Sequence, residues 1–429
     1  EVTLSARTEI VALALAFGAL AAIGAPRSLL GQESTGGNCA ACHAVLGDER
    51  LSAPAVAFTS DIHAARGLGC VACHGGNANT TGLDGMDPAN GFLGKPKGAA
   101  LLDVCGRCHS DAAFMRQYNP SLRVDQVQEY VSSVHGQRLV QLGDTAVATC
   151  SSCHPAHHIR PPSDPESSVH PFRVVQTCGT CHADEQHMSP YGIPVDQREK
   201  YLRSVHWEML SVEGDLSAPT CNDCHGNHGA APPGVSWVGN VCGQCHSVMA
   251  AKFAQSRHAQ TFAMLGVPGC TVCHNNHEIV KADDTLLGLD SGAVCARCHS
   301  AGDGGGAVAA SMRSLIDSLR VQHEEAEAIL SQAESAGMEV SQAQFDLDAA
   351  HTALVSARAA IHGFDVIAVS AQVQEGLTIA TEAHRRGEVA LGGLRFRRLG
   401  LGVSVTIILA LIAGLVLKIR QLESTEATT

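Results

Sequence analysis

Nine cysteine pairs, each with two residues between the thiols, lie along the chain, and a histidine directly follows every pair. The pairs account for all 18 cysteines, so no thiol remains for another purpose. The motifs, numbered 1 to 9 in chain order, contain Cys39 and Cys42, Cys70 and Cys73, Cys105 and Cys108, Cys150 and Cys153, Cys178 and Cys181, Cys221 and Cys224, Cys242 and Cys245, Cys270 and Cys273, and Cys295 and Cys298. Their histidines are His43, His74, His109, His154, His182, His225, His246, His274 and His299.

A cysteine pair of this spacing is typical of a zinc site, a redox-active dithiol or, when histidine follows, a c-type haem attachment. Neither a zinc site nor a disulfide needs an imidazole directly after the second thiol. Two thiols three residues apart can add to the two vinyl groups of one haem, while the next side chain offers its imidazole to the iron. The sequence therefore predicts nine covalently bound c-type haems, with the nine motif histidines as proximal iron ligands.

The composition fits a chain built around haem rather than around an aromatic core. Only 4% of the 429 residues are aromatic, and residues 39–299 provide about 29 residues per motif, which is little for a side-chain core. We therefore expect stacked porphyrins to form most of the core inside a thin wrapping of short helices and loops. The formal net charge of −13 opposes nucleic-acid binding, which requires a basic surface.

The motif region contains internal repeats. The segments that begin at Cys105 and Cys178 both carry VDQ, a tyrosine and then SVH before the next motif, and a shorter copy begins at Cys242. Repetition at this scale predicts similar local units. We expect each unit to be a short helix with a histidine, a loop and a haem-binding turn.

Histidines outside the motifs recur at related positions, either three residues beyond a proximal histidine or some residues before a motif. A neutral histidine from an adjacent repeat suits the second axial position of a low-spin electron-transfer haem. The alternative for each is an ordinary loop histidine. The predicted distal ligands are His63, His135, His157, His206, His228, His258 and His277, with His158, His170 and His187 as further candidates.

These residues resemble the multihaem cytochromes c of the bacterial periplasm, the cytochrome c3-like or doubled haem-motif group. The resemblance covers roughly residues 39–299 and rests on the stretches GLGCVACHGG, SVHG, APTCNDCHGNHGAAPPGV and VCGQCH. It implies electron transfer through several haems. It leaves the pathway open, because such proteins serve many donors and acceptors.

The composition changes after motif 9. Residues 301–307, AGDGGGA, predict a flexible linker. Residues 308–394 contain no proline or cysteine, and their apolar spacing predicts about three helices with breaks at Gly337 and Gly363. We expect a packing or spacing bundle, and the alternative is a docking or homo-oligomer surface. The tail histidines His323, His351, His362 and His384 are predicted to be ordinary helix-surface residues.

Two apolar segments predict contact with a membrane. Residues 399–417 form an uncharged run, flanked by basic residues within 395–420, which is long enough to cross a bilayer core. The alternative is a buried soluble helix. The shorter apolar run at residues 10–25 predicts a signal sequence or signal anchor within residues 1–30.

Covalent haem attachment is completed outside the cytoplasm, so we expect residues 31–300, the nonahaem domain, to face the periplasm from the cytoplasmic membrane. Residues 421–429 would then form a short cytoplasmic tail. The basic residues before the span outnumber those after it, which opposes the positive-inside rule. The overall prediction is a mainly α protein with little regular strand: a haem-packed repeat domain, a helical bundle and a C-terminal transmembrane helix.

Two functions remain open. The first is an electron conduit between a membrane, quinone-linked partner and a periplasmic or extracellular acceptor, with redox proteins such as a quinol-oxidising complex or other cytochromes as partners. The second is a multihaem reductase of a small nitrogen or sulfur oxyanion such as nitrite, hydroxylamine or tetrathionate. Because ten histidines outside the motifs could serve nine irons, we favour a carrier without catalytic residues. Motif 1 is the exception, since no histidine lies between His43 and His63.

Overall fold

The computed structural model describes residues 37–231 and 239–426, so the predicted signal segment lies outside the described residues. Within these ranges the regular structure is entirely helical and no strand forms. The predicted mainly α class is therefore confirmed.

Two compact units make up the described chain. The first contains residues 37–127 and 142–168, and the second contains residues 128–141 and 169–426. Motifs 1 to 4 belong to the first unit, and motifs 5 to 9 belong to the second together with the C-terminal helices.

Short helices and turns carry the motif region. The α-helices are α1 (Gly37–His43), α2 (Glu49–Ala57), α3 (Ile62–Ala65), α4 (Val71–His74), α5 (Ala100–His109), α6 (Ala112–Met115), α7 (Gln126–Ser132), α8 (Val134–Leu142), α9 (Cys150–Cys153), α10 (Pro171–His182), α11 (Glu185–Met188), α12 (Gln197–Leu202), α13 (Val205–Ser211), α14 (Cys221–His225), α15 (Gly239–Cys242), α16 (Ser247–Ala254), α17 (Arg257–Leu265) and α18 (Gly269–His274). Single 3-10 turns span Phe58–Ser60, Leu83–Met86, Pro88–Asn90, Ser189–Tyr191, Asp284–Leu286, Cys295–Arg297 and Ile361–Gly363.

Side chains alone give the motif region little core. Helices α1, α4, α9, α14 and α18, which carry motif residues, contain no buried residue. Among the largest fully buried side chains, Leu210 is the one apolar member before residue 300. This sparse core agrees with the expectation that a large apolar cofactor fills the space between the helices.

Three long helices follow the motif region: α19 (Gly304–Ser335), α20 (Ser341–Ala360) and α21 (Val366–Glu426). The turn between α19 and α20 contains Gly337, whose φ of +77° ends the helix, and Gly363 lies in the turn before α21. The inward face of α19 carries Met312, Leu319 and Leu330, each at most 1% exposed. Full burial of such a side chain stabilises the fold by about 1.5–3 kcal/mol.

The glycine-rich stretch after motif 9 is not the linker predicted at residues 301–307. Helix α19 begins within it at Gly304, and the Asp303 side chain caps the helix by accepting the Gly306 N–H at 2.8 Å. A Cβ atom at Gly305 would lie 2.2 Å from the His299 ring, and one at Gly306 would lie 1.8 Å from the Ser300 carbonyl oxygen. The glycines allow close approach of the bundle to motif 9 rather than flexibility.

Helix α21 continues beyond the bundle into the apolar run. Within the described residues, one helix, Val366–Leu422, is long and apolar enough to cross a membrane, with a mean hydropathy of 2.6 in its most apolar 18 residues. The side chains of these residues are exposed, for example Leu409 at 60%. The alternative of a buried soluble helix does not hold for this run.

Candidate functional site

The motifs form helical turns that place their two thiols side by side. Residues three apart on a helix share one face, and the cysteines of motifs 2, 4, 6 and 8 lie on α4, α9, α14 and α18 or directly before them. Both thiols therefore point in the same general direction, toward one edge of a planar group. No disulfide joins any of the 18 cysteines, which all lie in the described residues.

A zinc interpretation does not fit this arrangement. A structural zinc ion requires four protein ligands, yet among residues 37–231 and 239–426 no group of three or more His, Cys, Asp or Glu side chains is arranged to hold a metal ion. The imidazoles instead lie in facing pairs. A metal held by two protein ligands needs further ligands from a cofactor, and the four nitrogens of a porphyrin provide them.

Seven motif histidines each face a histidine from elsewhere in their own unit. The distances between ring centroids range from 5.8 to 6.3 Å. The pairs are His109 with His63, His74 with His157, His182 with His135, His246 with His206, His225 with His277, His299 with His258, and His274 with His362. Six of these seven partners were predicted from sequence as distal ligands.

The separation fits one metal ion between two imidazoles. A metal–imidazole bond is about 2.0 Å long, so two nitrogens on opposite sides of one ion are about 4 Å apart. The Nε2 atoms of His74 and His157 are 3.5 Å apart, and their rings are parallel to within 1°. The rings of His225 and His277 are also nearly parallel, at 9°. These pairs therefore fit the axial positions of a haem iron.

Hydrogen bonds hold the opposite ring nitrogen of several paired histidines. An Nδ1 that donates its proton leaves Nε2 unprotonated and free to bind a metal, and the acceptor fixes the ring orientation. The acceptors are the Gly94 oxygen for His74 at 2.7 Å, the Ala231 oxygen for His225 at 3.2 Å, Asp303 Oδ1 for His299 at 3.0 Å, Asp61 Oδ1 for His63 at 2.9 Å, and the Ala359 oxygen for His362 at 3.2 Å.

Burial favours the metal-binding form of the distal imidazoles. Removal from water, followed by the effect of a neighbouring histidine, lowers the pKa of His135, His157, His206, His258 and His277. The neutral imidazole, which is the ligand form, is therefore the stable one at neutral pH.

Three distal candidates share a buried serine two residues earlier. The Ser204 hydroxyl donates to the Tyr201 oxygen at 2.7 Å and accepts the Trp207 N–H at 3.2 Å, which caps the helix that carries His206. Ser133 before His135 and Ser256 before His258 make the equivalent two bonds. The repeated S-x-H pattern is thus a helix start that orients a histidine.

Asp61 orients His63 in the same way, with a carboxylate in place of the serine hydroxyl. Its side chain is 1% exposed and accepts the His63 N–H at 2.8 Å, the His63 Nδ1–H at 2.9 Å and the Ile159 N–H at 2.7 Å. Burial alone raises the pKa of Asp61, but these hydrogen bonds outweigh it and leave the pKa below its usual value. Sequence analysis missed both Asp61 and Asp303, although each lies within four residues of a predicted ligand.

The further candidates behave differently. His158 has both ring nitrogens engaged, since Nδ1 lies 2.9 Å from Ser60 Oγ and Nε2 accepts from Arg160 at 3.1 Å. It is not part of a facing imidazole pair, and its inclusion as a distal candidate stays a prediction. His170 is buried at 5% exposure and caps α10, and the His187 ring lies 6.1 Å from that of Tyr191. His228 Nδ1 lies 3.8 Å from Glu129 Oε2.

Two histidines depart from the common pattern. His362 was predicted to be an ordinary helix-surface residue, but it is half-buried and its ring faces that of His274 at 6.2 Å. The prediction fails because tertiary packing, which no local pattern reveals, brings the tail to motif 8. For His43, by contrast, no imidazole faces the ring anywhere in the described parts of the chain.

Neighbouring motifs touch in chain order within each unit. The first cysteines of motifs 3 and 4, Cys105 and Cys150, lie close enough to interact, and this interaction raises the pKa of Cys105. Motifs 5 and 6 and motifs 7 and 8 repeat this arrangement. Arg107 of motif 3 donates to the Ala72 oxygen of motif 2 at 2.9 Å. Arg297 occupies the same place in motif 9 and donates to the Val272 oxygen of motif 8 at 3.0 Å.

This geometry fits a helical, multihaem c-type cytochrome. A profile of the cytochrome c3 family matches residues 215–300, which contain motifs 6 to 9. The C-type polyheme cytochrome OmcC of Geobacter sulfurreducens is 23% identical over 212 residues, which is 44% of this chain and 25% of that protein. The chain thus matches about a quarter of the length of this curated relative. No solved structure matches the chain. The comparisons support covalently bound c-type haems and electron transfer.

Proposed function

We propose that this chain is a membrane-anchored conduit that carries nine c-type haems and passes electrons between redox proteins. The observation that carries the proposal is the set of facing imidazole pairs. Two protein imidazoles on one iron leave no axial position for a substrate, so such a site exchanges electrons and does little else. The haems supply the one-electron chemistry, and the chain supplies ligands, order and burial.

The distal ligands follow from the pairs. We assign His63 to the haem of motif 3, His157 to motif 2, His135 to motif 5, His277 to motif 6, His206 to motif 7 and His258 to motif 9. Each distal histidine comes from another repeat, so every assignment ties two segments of the chain together. His170, His187 and His228 stay candidates for the remaining irons.

The contacts between successive motifs support a linear order of haems. Motifs 2, 3 and 4 touch in sequence in the first unit, and motifs 5 with 6, 7 with 8, and 8 with 9 touch in the second. Cys224 of motif 6 also lies near Cys242 of motif 7. If the haems follow the order of the motifs along the chain, an electron moves only a short distance from each haem to the next.

We propose that the exposed apolar run of α21 anchors the chain in the cytoplasmic membrane, with the haem domain in the periplasm. The run begins at residue 399, so the helix from Val366 rises for about 50 Å before reaching it. Motif 8 meets the bundle near Val366, far from the run. The redox partner of motif 8 is therefore a protein outside the bilayer, such as a domain of a quinol-oxidising complex, rather than a quinone itself.

His43 supports a second candidate function. An iron in motif 1 with His43 as its one imidazole would keep an open position, as a reductase of nitrite, hydroxylamine or tetrathionate requires. Turnover assays with an artificial reductant separate the two functions. We expect no appreciable reduction of these three substrates by the haem-loaded protein. Rapid turnover of any of them would replace the conduit by the reductase.

A further inference from the structure

The turn between α20 and α21 reaches the axial histidines of two motifs at once. The His362 ring faces that of His274 in motif 8, with centroids 6.2 Å apart and planes 20° apart. Two residues later, the Phe364 ring lies 3.9 Å from that of His258. His258 in turn faces His299 of motif 9 at 6.0 Å.

His362 has the geometry of the distal histidines inside the motif region. Its centroid distance to His274 falls within the range of the other pairs, 5.8 to 6.3 Å. Its Nδ1 lies 3.2 Å from the Ala359 oxygen, so this nitrogen donates and Nε2 stays free for a metal. The tail thus supplies the one partner that sequence analysis did not find.

The backbone of the turn is held in an unusual conformation. Phe364 has a φ of +53°, which a bulky residue rarely adopts and which persists where the surroundings enforce it. The ring lies between His258 and Phe253, whose centroid is 6.5 Å away. Packing against the motif region therefore determines the shape of this turn.

Ion pairs lock the bundle onto the same part of the motif region. Arg358, four residues before His362, forms two hydrogen bonds of 2.8 and 2.9 Å with the Asp284 carboxylate. Arg313 of α19 donates to the Asp284 carbonyl oxygen, and Arg320 Nε lies 3.9 Å from the Asp284 carboxylate. With the bundle fixed in this way, His362 has a defined position beside His274.

We propose that His362 is the second axial ligand of the haem iron of motif 8 and that Phe364 packs on the distal imidazole of motif 9. This inference rests on the proposed binding of haems by motifs 8 and 9. It makes the tail part of the haem centres rather than a separate spacer. The helix that carries the apolar run would then start within four residues of an iron ligand.

The test uses the full-length, haem-loaded protein with His362→Met and His362→Gly. The Met variant should keep all covalent haems by mass, while the potential of one haem rises because a thioether favours the reduced state. The Gly variant should show one new high-spin signal by electron paramagnetic resonance (EPR), and added imidazole should convert it to low spin. Phe364→Ala should shift the g-values of one low-spin haem without producing a high-spin one.

His384→Met and His384→Gly are the matched controls, because His384 is a half-buried histidine on the same tail. They should leave the potentials and spin states unchanged. Unaltered potentials in His362→Met, together with a wholly unchanged EPR spectrum in His362→Gly, would overturn the assignment of His362 while leaving the conduit intact. A wild-type protein without haem at motif 8 by peptide mass would instead contradict the haem binding on which the assignment depends.

Discussion

His74 and His157 lie 83 residues apart in the chain, yet their rings are parallel to within 1° and their Nε2 atoms are 3.5 Å apart. His157 has a φ of +71°, which a non-glycine residue rarely adopts. His277, at the equivalent position after motif 8, has a φ of +54° and faces His225. The backbone after these two motifs is thus shaped to present an imidazole to a partner motif.

Replacing His157 by Met should retain two axial ligands but raise the potential of one haem, since thioether ligation favours the reduced iron. Spectroscopic redox titration measures this change. The adjacent variant His158→Met is the control, because His158 is hydrogen-bonded to Ser60 and Arg160 instead. Identical titration curves for wild type and His157→Met would show that His157 binds no iron.

Replacing Ser204 by Ala should destabilise the protein by about 1 kcal/mol, the usual cost of losing a helix cap. The buried hydroxyl caps the helix of His206, so the signal of one haem should broaden as well. Thermal unfolding followed by calorimetry and by haem absorbance measures both effects. Ser211→Ala, an exposed change at the end of the same helix, should have little effect on either.

Replacing Gly305 by Ala should disturb motif 9, because the new Cβ would lie 2.2 Å from the His299 ring. The ring cannot move aside without losing its bond to Asp303 and its proposed iron. Gly304→Ala is the matched control, since no atom lies within 4 Å of its Cβ position. EPR should show one altered haem in Gly305→Ala only. Equal spectra for both variants would contradict this role of Gly305 and favour the interpretation of residues 301–307 as a linker.

A chain that ends at Gly393 lacks the apolar run but keeps the core of the bundle. It should appear as a haem-loaded protein in the soluble periplasmic fraction, provided that the N-terminal segment is removed. The full-length protein should leave membranes with detergent and not with salt, because the exposed side chains of residues 399–417 bury apolar area in lipid. Release by salt alone would refute the anchor.

The sequence predicted the features that repeat or that have a short period. The cysteine spacing indicated the cofactor, and the apolar spacing of residues 308–394 predicted helices, whose buried side chains include Met312, Leu319 and Leu330. Six distal partners could be recognised because their spacing recurs from one repeat to the next.

Contacts between distant segments could not be predicted in this way. His362 occurs once, in a turn without a repeat, and only the packing of the bundle brings it to His274. The glycines at the start of α19 were misinterpreted because glycine serves two physical purposes, freedom of the backbone and absence of a Cβ atom. Which purpose applies at Gly305 depends on the His299 ring beside it.

The central claim is that paired imidazoles fill the axial positions of most irons in a chain of nine haems. The most direct measurement is quantitative low-temperature EPR with magnetic circular dichroism on the purified full-length protein, after its mass has been used to count the covalent haems. We predict nine covalent haems, of which at least eight are low-spin with two imidazole ligands and at most one, at motif 1, is high-spin. Fewer than nine covalent haems, or several high-spin irons, would contradict the account.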